Sequence, residues 1–383
     1  MTEPRERNPD AVEHVLAITD RIAGEITTKN AAEVDKLARF PRESMDELAE
    51  RGILGLLIAK ECGGLGLDLA AAAAVVQRLA RECPSTAMIT AMHFCATAVI
   101  DEYGSRRVRE AIAAGKHLST LAFSECGSRS QFWTPVSTAR ERDKVVELNA
   151  HKSFSTSASH ADSYVWSSKP LAGDELSTLW LVPSDCDGLN IPTSFRGLGL
   201  RGNDSAPIVA DNVKIAMDNR LGADGEGFAI MMGIVLPYFN VLAANCSIGL
   251  MKGAMARVID HISGVRYTHS DAALSALPTI RAYVARMQIK IDMADMLQKD
   301  AIDAVLSGHE NATLRILETK AAAGECATEV LGMAMRVCGG AAYSNGVGLE
   351  RYFRDSQAAT IMSPTTDILY DFLGKAVLRM PLF

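Results

Sequence analysis

The 383-residue chain has no Cys-x-x-Cys pair. Its eight cysteines stand singly at 62, 83, 95, 126, 186, 246, 326 and 338, with no His or Cys at metal-ligand spacing beside them. This scatter argues against a zinc site or a disulfide framework and reads as small core residues kept reduced in a cytoplasmic compartment. Positive charge is also short. The formal net charge is −7, so the electrostatic footprint of a nucleic-acid binder is missing. No uninterrupted apolar run reaches the roughly 18–20 residues expected of a membrane helix, and Met1 to Val12 is too polar and charged for a signal peptide. There is no internal repeat and no low-complexity segment. What remains is 48% hydrophobic and 22% charged, the composition of a globular protein long enough for two or three structural units.

Taken in order, the chain reads as helices, then strands, then helices. Val12, Val15, Leu16, Ile18, Ile22 and Ile26 recur at helical spacing until Phe40-Pro41 breaks the pattern. A second helix, Arg42 to Arg51, ends at Gly52. Gly55, Gly63, Gly64 and Gly66 follow in a loop that lacks the strand and Lys-Ser/Thr pair of a phosphate loop. An Ala-rich helix, Leu67 to Cys83, stops at Pro84, and another runs from Ser85 to Tyr103. His93, set among apolar residues of that helix, reads as buried or lining rather than catalytic. From Lys116 the texture changes to Thr, Ser, Val and Trp. Strand-like runs appear at Tyr164–Ser168 and Leu176–Val182, punctuated by Pro and Gly. After Gly222, long helices are expected over Phe228–Gly264, Pro278–Ser307 and Asn311–Val337. Pro237 should kink the first or delay its start. Met287, Met293 and Met296 read as core packing. The expected units are 1–118 helical, 119–222 a β-domain and 223–383 a helical bundle.

The last stretch organises the rest. A helix rich in Ala and Met ends at Cys338-Gly339-Gly340, where glycine suits a left-handed cap. Then come Glu350-Arg351-Tyr352-Phe353-Arg354-Asp355 and a turn, Met362-Ser363-Pro364-Thr365-Thr366-Asp367. The turn has the hydroxyls and acid of a helix start, a place able to hold a phosphate. This order resembles the C-terminal signature of the acyl-CoA dehydrogenase family. Further matches stand in the right order over roughly residues 10 to 380: the glycines at 52–66, Phe123-Ser124-Glu125-Cys126-Gly127-Ser128-Arg129-Ser130, Lys152-Ser153-Phe154-Ser155-Thr156-Ser157-Ala158, and Gly222 to Phe228. The resemblance implies an α+β fold with an N-terminal helical domain, a middle β-barrel or sandwich domain and a C-terminal four-helix bundle. It also implies a bound flavin, FAD, and a homodimer or a dimer of dimers, a homotetramer.

By the same resemblance, Phe123 and Ser124 would face the pyrimidine edge of the flavin ring. Ser130 would reach the pyrophosphate, Thr156 would bond near N5, and Phe154 would flank the ring where the family has Trp. Thr365 and Asp367 keep a polar turn at the cofactor. Arg266, Arg336, Gly339 and Gly340 would meet the flavin of a neighbouring subunit, Arg336 standing where the family has Gln.

The catalytic base is the departure. The family places a Glu where this chain has Ser363, or on the first long C-terminal helix where it has Phe239. Neither residue is a carboxylate, and losing a placed base typically costs ~10²–10⁴ in rate. Glu125, Asp204 and His93 are stand-in bases, each reading first as structural. Three functions follow from the resemblance. One is an FAD-dependent oxidoreductase acting on an acyl thioester of CoA or a carrier protein, passing electrons to an acceptor. Another is a monooxygenase using O₂ and reduced flavin, in that case FMN, from a reductase. The third is a non-catalytic flavin binder.

Overall fold

A computed structural model of the chain describes residues 8–128 and 131–381. Helix α1 (Pro9–Ile22) starts at Asn8, whose side-chain oxygen accepts from the Ala11 N–H, with Pro9 in the first turn. It runs through a π-helical stretch, Ala23–Thr27, into α2 (Thr28–Leu37), so the helical spacing holds until just before Phe40-Pro41. Then follow α3 (Arg42–Glu50), α4 (Leu69–Glu82), α5 (Pro84–Tyr103) and α6 (Arg106–Ala113). Pro84 both stops α4 and opens α5, where its missing N–H costs nothing. The glycines between α3 and α4 serve packing: a Cβ on Gly64 would fall 2.1 Å from the Ile58 carbonyl oxygen.

The middle unit contains β1 (Ser119–Ala122), β2 (Thr138–Arg142), β3 (Val145–Ser155), β4 (Ser163–Ser168), β5 (Thr178–Pro183), β6 (Leu189–Asn190), β7 (Ala206–Ala216) and β8 (Arg220–Leu221). They form two four-stranded sheets, ordered β1-β4-β5-β8 and β2-β3-β7-β6, with only the β1–β4 pair parallel. Trp166 and Trp180 face each other across β4 and β5. They pack with Val146, Leu148, Ile208 and Ile215 into the core of this unit.

The C-terminal part opens with α7 (Gly227–Ile230) and a π-helical stretch, Met231–Val235. It continues as α8 (Leu236–Gly264), α9 (Pro278–Leu306), α10 (Ala312–Cys338), α11 (Gly340–Tyr343), α12 (Leu349–Ser356), α13 (Ala358–Ile361) and α14 (Thr366–Val377). Pro237 sits in the first turn of α8, directly after the π-helical stretch, so the regular helix is delayed as its missing N–H requires. Gly227–Gly264 is in fact long and apolar enough to cross a membrane, contrary to the sequence reading. Here it is a central helix of the bundle, packed on α4, α5, α9 and α10. Two of its glycines admit α4: a Cβ on Gly249 or Gly253 would fall 2.2 or 2.0 Å from the carbonyl oxygens of Gln77 and Arg81. Met287 is buried, but Met293 and Met296 are 62% and 63% exposed. They share an outward stripe of α9 with Ile289, so the core assignment of these two is wrong. Gly339 ends α10 with φ 56° and ψ −134°. Its φ is positive, but its ψ lies far from the left-handed helical region expected for the cap.

Helix α12 fastens the three parts together. Arg351 donates to the Glu82 carbonyl and Tyr352 to that of Arg81, satisfying the open end of α4. Arg354 makes a forked ion pair with Asp35 of α2, and the Asp355 carboxylate accepts from Leu200 N–H. The architecture is α+β: a helical N-terminal domain, a middle sheet domain and a helical C-terminal domain.

Candidate functional site

Two segments of the middle unit come together at one end of the sheets. Glu125 pairs with Lys152 of β3 in an isolated antiparallel bridge, and Ser153 N–H donates to the Ser124 carbonyl at 2.8 Å. Beneath them Lys152 Nζ is fully buried, donating to Glu125 Oε1, the Ser167 carbonyl and two hydroxyls. The second oxygen of Glu125 accepts from the N–H groups of Val136 and Ser137. Burial pushes the Lys152 amine down to about 8, and Lys152 together with those N–H donors holds the Glu125 carboxyl low despite its burial. Glu125 is thereby committed to structure.

Beyond this pair β3 is irregular between Lys152 and Ser155. Phe154 adopts φ 54°, in the region non-glycine residues avoid, and its ring is 74% exposed. Thr156 is buried, with its hydroxyl 3.2 Å from that of Ser205. Half-buried Ser124 follows Phe123, whose ring stacks parallel to Phe132 at 6.3 Å. Phe132 meets Trp133 edge-on, and Trp133 reaches Phe372 of α14 with centroids 5.8 Å apart. An aromatic chain therefore leads from the expected flavin loop to the helix that Thr365 caps.

The Thr365 hydroxyl accepts from Ile368 N–H, Asp367 lies exposed in the first turn, and Pro364 lies before the cap, following a cis Ser363–Pro364 bond. Ser363 is half-buried. The carbonyls on either side of it, from Met362 and Pro364, accept from Lys320 Nζ at 3.0 and 2.7 Å. The half-buried Phe239 ring lies 5.8 Å from the same nitrogen. The two positions expected to hold a base thus converge on one buried lysine, and neither supplies a carboxylate.

The stand-in bases are all engaged. His93 is fully buried, with Nε2 3.0 Å from the Leu54 carbonyl and Nδ1 accepting from Ser119 N–H. Burial pushes it down to about 4, which keeps the ring neutral. The Asp204 carboxylate accepts from Ser159 N–H at 2.7 Å.

Eleven buried side-chain polar atoms on ten of the described residues have no hydrogen-bond partner, among them the hydroxyls of Ser155 and Thr366 and both amide atoms of Asn240. These three are next in sequence to residues singled out above, namely Phe154, Thr365 and Phe239. A buried polar group left unpaired costs about 1–3 kcal/mol, so each calls for an explanation.

The remaining expected contacts lie elsewhere. Arg266 is exposed and donates to the Asp271 carbonyl, in the loop between α8 and α9. Arg336 lies over the Tyr283 ring at 5.4 Å, and Gly339 and Gly340 are exposed beside it. The partners of the two arginines, Asp271 and Tyr283, lie outside the aromatic chain. Ser130 lies outside the described residues. Sequence reasoning missed Phe132, Trp133, Phe372, Ser205 and Lys320. Lys320 left a signal, since it stands on the buried stripe of α10 beside Leu317 and Ala321, where a lone lysine is out of place.

Comparison with known proteins identifies the three-domain fold. The chain matches the acyl-CoA dehydrogenase N-terminal domain over residues 12–115, the middle domain over 120–213 and the C-terminal domain over 225–378. Human mitochondrial short-chain specific acyl-CoA dehydrogenase is 27% identical, aligning 88% of this chain with 83% of its own. Butyryl-CoA dehydrogenase from Megasphaera elsdenii superposes with a TM-score of 0.90 at 21% identity, covering 98% of this chain and all of the other. The FAD complex of PigA superposes at 0.88 with 18% identity, covering 97% and 98%. With all three domains matched in order across nearly its whole length, the chain belongs to the acyl-CoA dehydrogenase family.

Proposed function

We propose that the protein is an FAD-dependent oxidoreductase acting on an acyl thioester, of CoA or a carrier protein, without the family's usual carboxylate base. The observation that carries this reading is the exposed ring at Phe154 next to the partnerless hydroxyl of Ser155, with further partnerless groups at Thr366 and Asn240 on the two elements that meet at Lys320. These features fit a flat, polar-edged group: an aromatic face for the ring, hydroxyls for its edge, and a capped helix start whose N–H dipoles favour negative charge. FAD rather than FMN is the cofactor that the family and the PigA complex favour.

When bound, the flavin would supply hydride acceptance at N5. The chain's own residues bind and orient it. Phe154 would offer a ring surface to it, the hydroxyls of Ser124 and Thr156 would serve its polar edge, and Thr365 and Thr366 would present the head of α14. Glu125 and Lys152 hold the two flavin loops in register. Arg266, Arg336, Gly339 and Gly340 are exposed, as a role toward a neighbouring subunit's cofactor needs. The outward apolar stripe of Ile289, Met293 and Met296 suits a homodimer or homotetramer. Eight free cysteines suit a cytoplasmic protein.

A second reading has one specific observation in its favour. Glu125, Asp204 and His93 are all tied to structural partners. A monooxygenase using O₂ and flavin reduced by a separate reductase needs no α-proton base. Anaerobic mixing with a series of acyl thioesters separates the two. Bleaching of the flavin supports the dehydrogenase. No bleaching, with O₂ uptake only when a reductase supplies reduced flavin, supports the monooxygenase.

A further inference from the structure

We propose that Lys320 is a positioning residue, a clamp that fixes the turn carrying Ser363 and so aims the head of α14 into the site. The consequence for flavin binding rests on the reading above, whereas the clamp itself rests on geometry alone. Lys320 is fully buried on α10, and its Nζ brackets Ser363 from within by donating to the carbonyls of Met362 and Pro364. Two residues later Thr365 caps α14, and the next hydroxyl, on Thr366, is buried without a partner. The turn is therefore tied to the bundle immediately before the residues that would meet the cofactor.

Lys320 has no carboxylate partner among the described residues, and the Phe239 ring lies 5.8 Å from its Nζ. Burial without a counter-ion pushes its amine down to about 7. The clamp tolerates either protonation state. An ammonium has three N–H groups and a neutral amine has two, and the turn presents two carbonyls. The ring face further favours the charged form. Loss of the donors would strand two carbonyls beneath the turn, which the turn can relieve only by shifting toward water.

The test compares Lys320→Met, which keeps length and removes the donors, with Lys320→Arg, which keeps them. Amide hydrogen exchange at Thr366, Asp367 and Ile368 reads the clamp directly, whether or not flavin binds. About tenfold faster exchange in Lys320→Met, restored in Lys320→Arg, is expected, and unchanged exchange overturns the proposal. Titration with FAD reads the consequence. Lys320→Met should bind roughly tenfold more weakly, with shifted visible bands, and Lys320→Arg should recover most of the affinity. If Lys320→Met binds FAD with the wild-type spectrum yet no longer bleaches with a thioester, Lys320 carries a proton and the positioning role is overturned. If the wild type takes up no FAD, the flavin reading fails and the exchange experiment alone decides the clamp. If Lys320→Met does not fold, Lys320→Arg decides: folding with wild-type exchange and spectrum supports the clamp, and folding with loosened exchange overturns it.

Discussion

Trp133 of the middle domain and Phe372 of α14 meet with ring centroids 5.8 Å apart, a contact that crosses from the sheets to the last helix of the chain. It completes the run Phe123–Phe132–Trp133–Phe372, so the expected flavin loop and the capped head of α14 are held by one apolar strip. Buried aromatic truncations typically cost about 3–5 kcal/mol. Trp133→Ala should therefore lower stability by about 3 kcal/mol in urea unfolding and weaken flavin retention together with it.

Phe154 should behave in the opposite way. Phe154 is mostly exposed, so Phe154→Ala should change unfolding stability, measured without added flavin, by no more than about 0.5 kcal/mol. Flavin affinity should nonetheless fall by roughly tenfold, the loss of one aromatic contact of about 1.4 kcal/mol. Equal losses of stability and affinity would mean that the ring is packing and nothing more.

Glu125→Gln would leave Lys152 buried with no opposing charge. Breaking one side of a buried pair typically costs about 3–5 kcal/mol, and the loss should appear in the unfolding midpoint even without cofactor. A variant as stable as the wild type would show that the Ser137 and Ser167 oxygens suffice for the amine.

The Asn240 amide is buried without a hydrogen-bond partner among the described residues. Asn240→Leu, of similar size, should be neutral or stabilising by about 1 kcal/mol in thermal unfolding. Turnover or ligand binding should fall in the same variant. Destabilisation without loss of function would place the amide in the structure rather than in the site.

Asp355 gives a signed pH dependence. Burial pushes its carboxyl up from 3.8 to about 6, against the pull of Arg351 and the Leu200 N–H. An acid raised on folding contributes stability below its unfolded value, and that contribution is lost as pH rises through its folded value. Asp355→Asn keeps an acceptor for Leu200 and removes the titration. Unfolding measured between pH 4 and 7 should therefore show the variant gaining on the wild type as pH rises. A difference independent of pH would contradict the assignment.

Much of this architecture was legible in the chain because it is written in strong punctuation. Pro41, Pro84, Gly52 and Pro278 mark helix limits where φ is fixed or a Cβ is missing, and the observed helices keep to them within a residue or two. The two longest strands, β3 and β7, were not legible. Their inward residues alternate with Glu147, Asn149, His151 and Lys214, so neither reads as an apolar run. Met293 and Met296 were misjudged because helical spacing cannot tell a face buried in the monomer from one left outward. At the site, the loops at 124 and 154 were legible by resemblance. Their support was not, because Glu125–Lys152 and Lys320–Pro364 join residues 27 and 44 positions apart, and even a lysine out of place on an apolar stripe does not name its partner.

The central claim is that a flavin lies against Phe154 and the head of α14. The most direct measurement is the visible spectrum of the purified protein equilibrated with excess FAD and freed of unbound ligand, with the released chromophore identified by mass. The account predicts flavin bands shifted from those of free FAD, near one FAD per chain, with occupancy reduced in Phe154→Ala. A protein that emerges colourless, and leaves the fluorescence of added FAD and of reduced FAD unchanged, would contradict it.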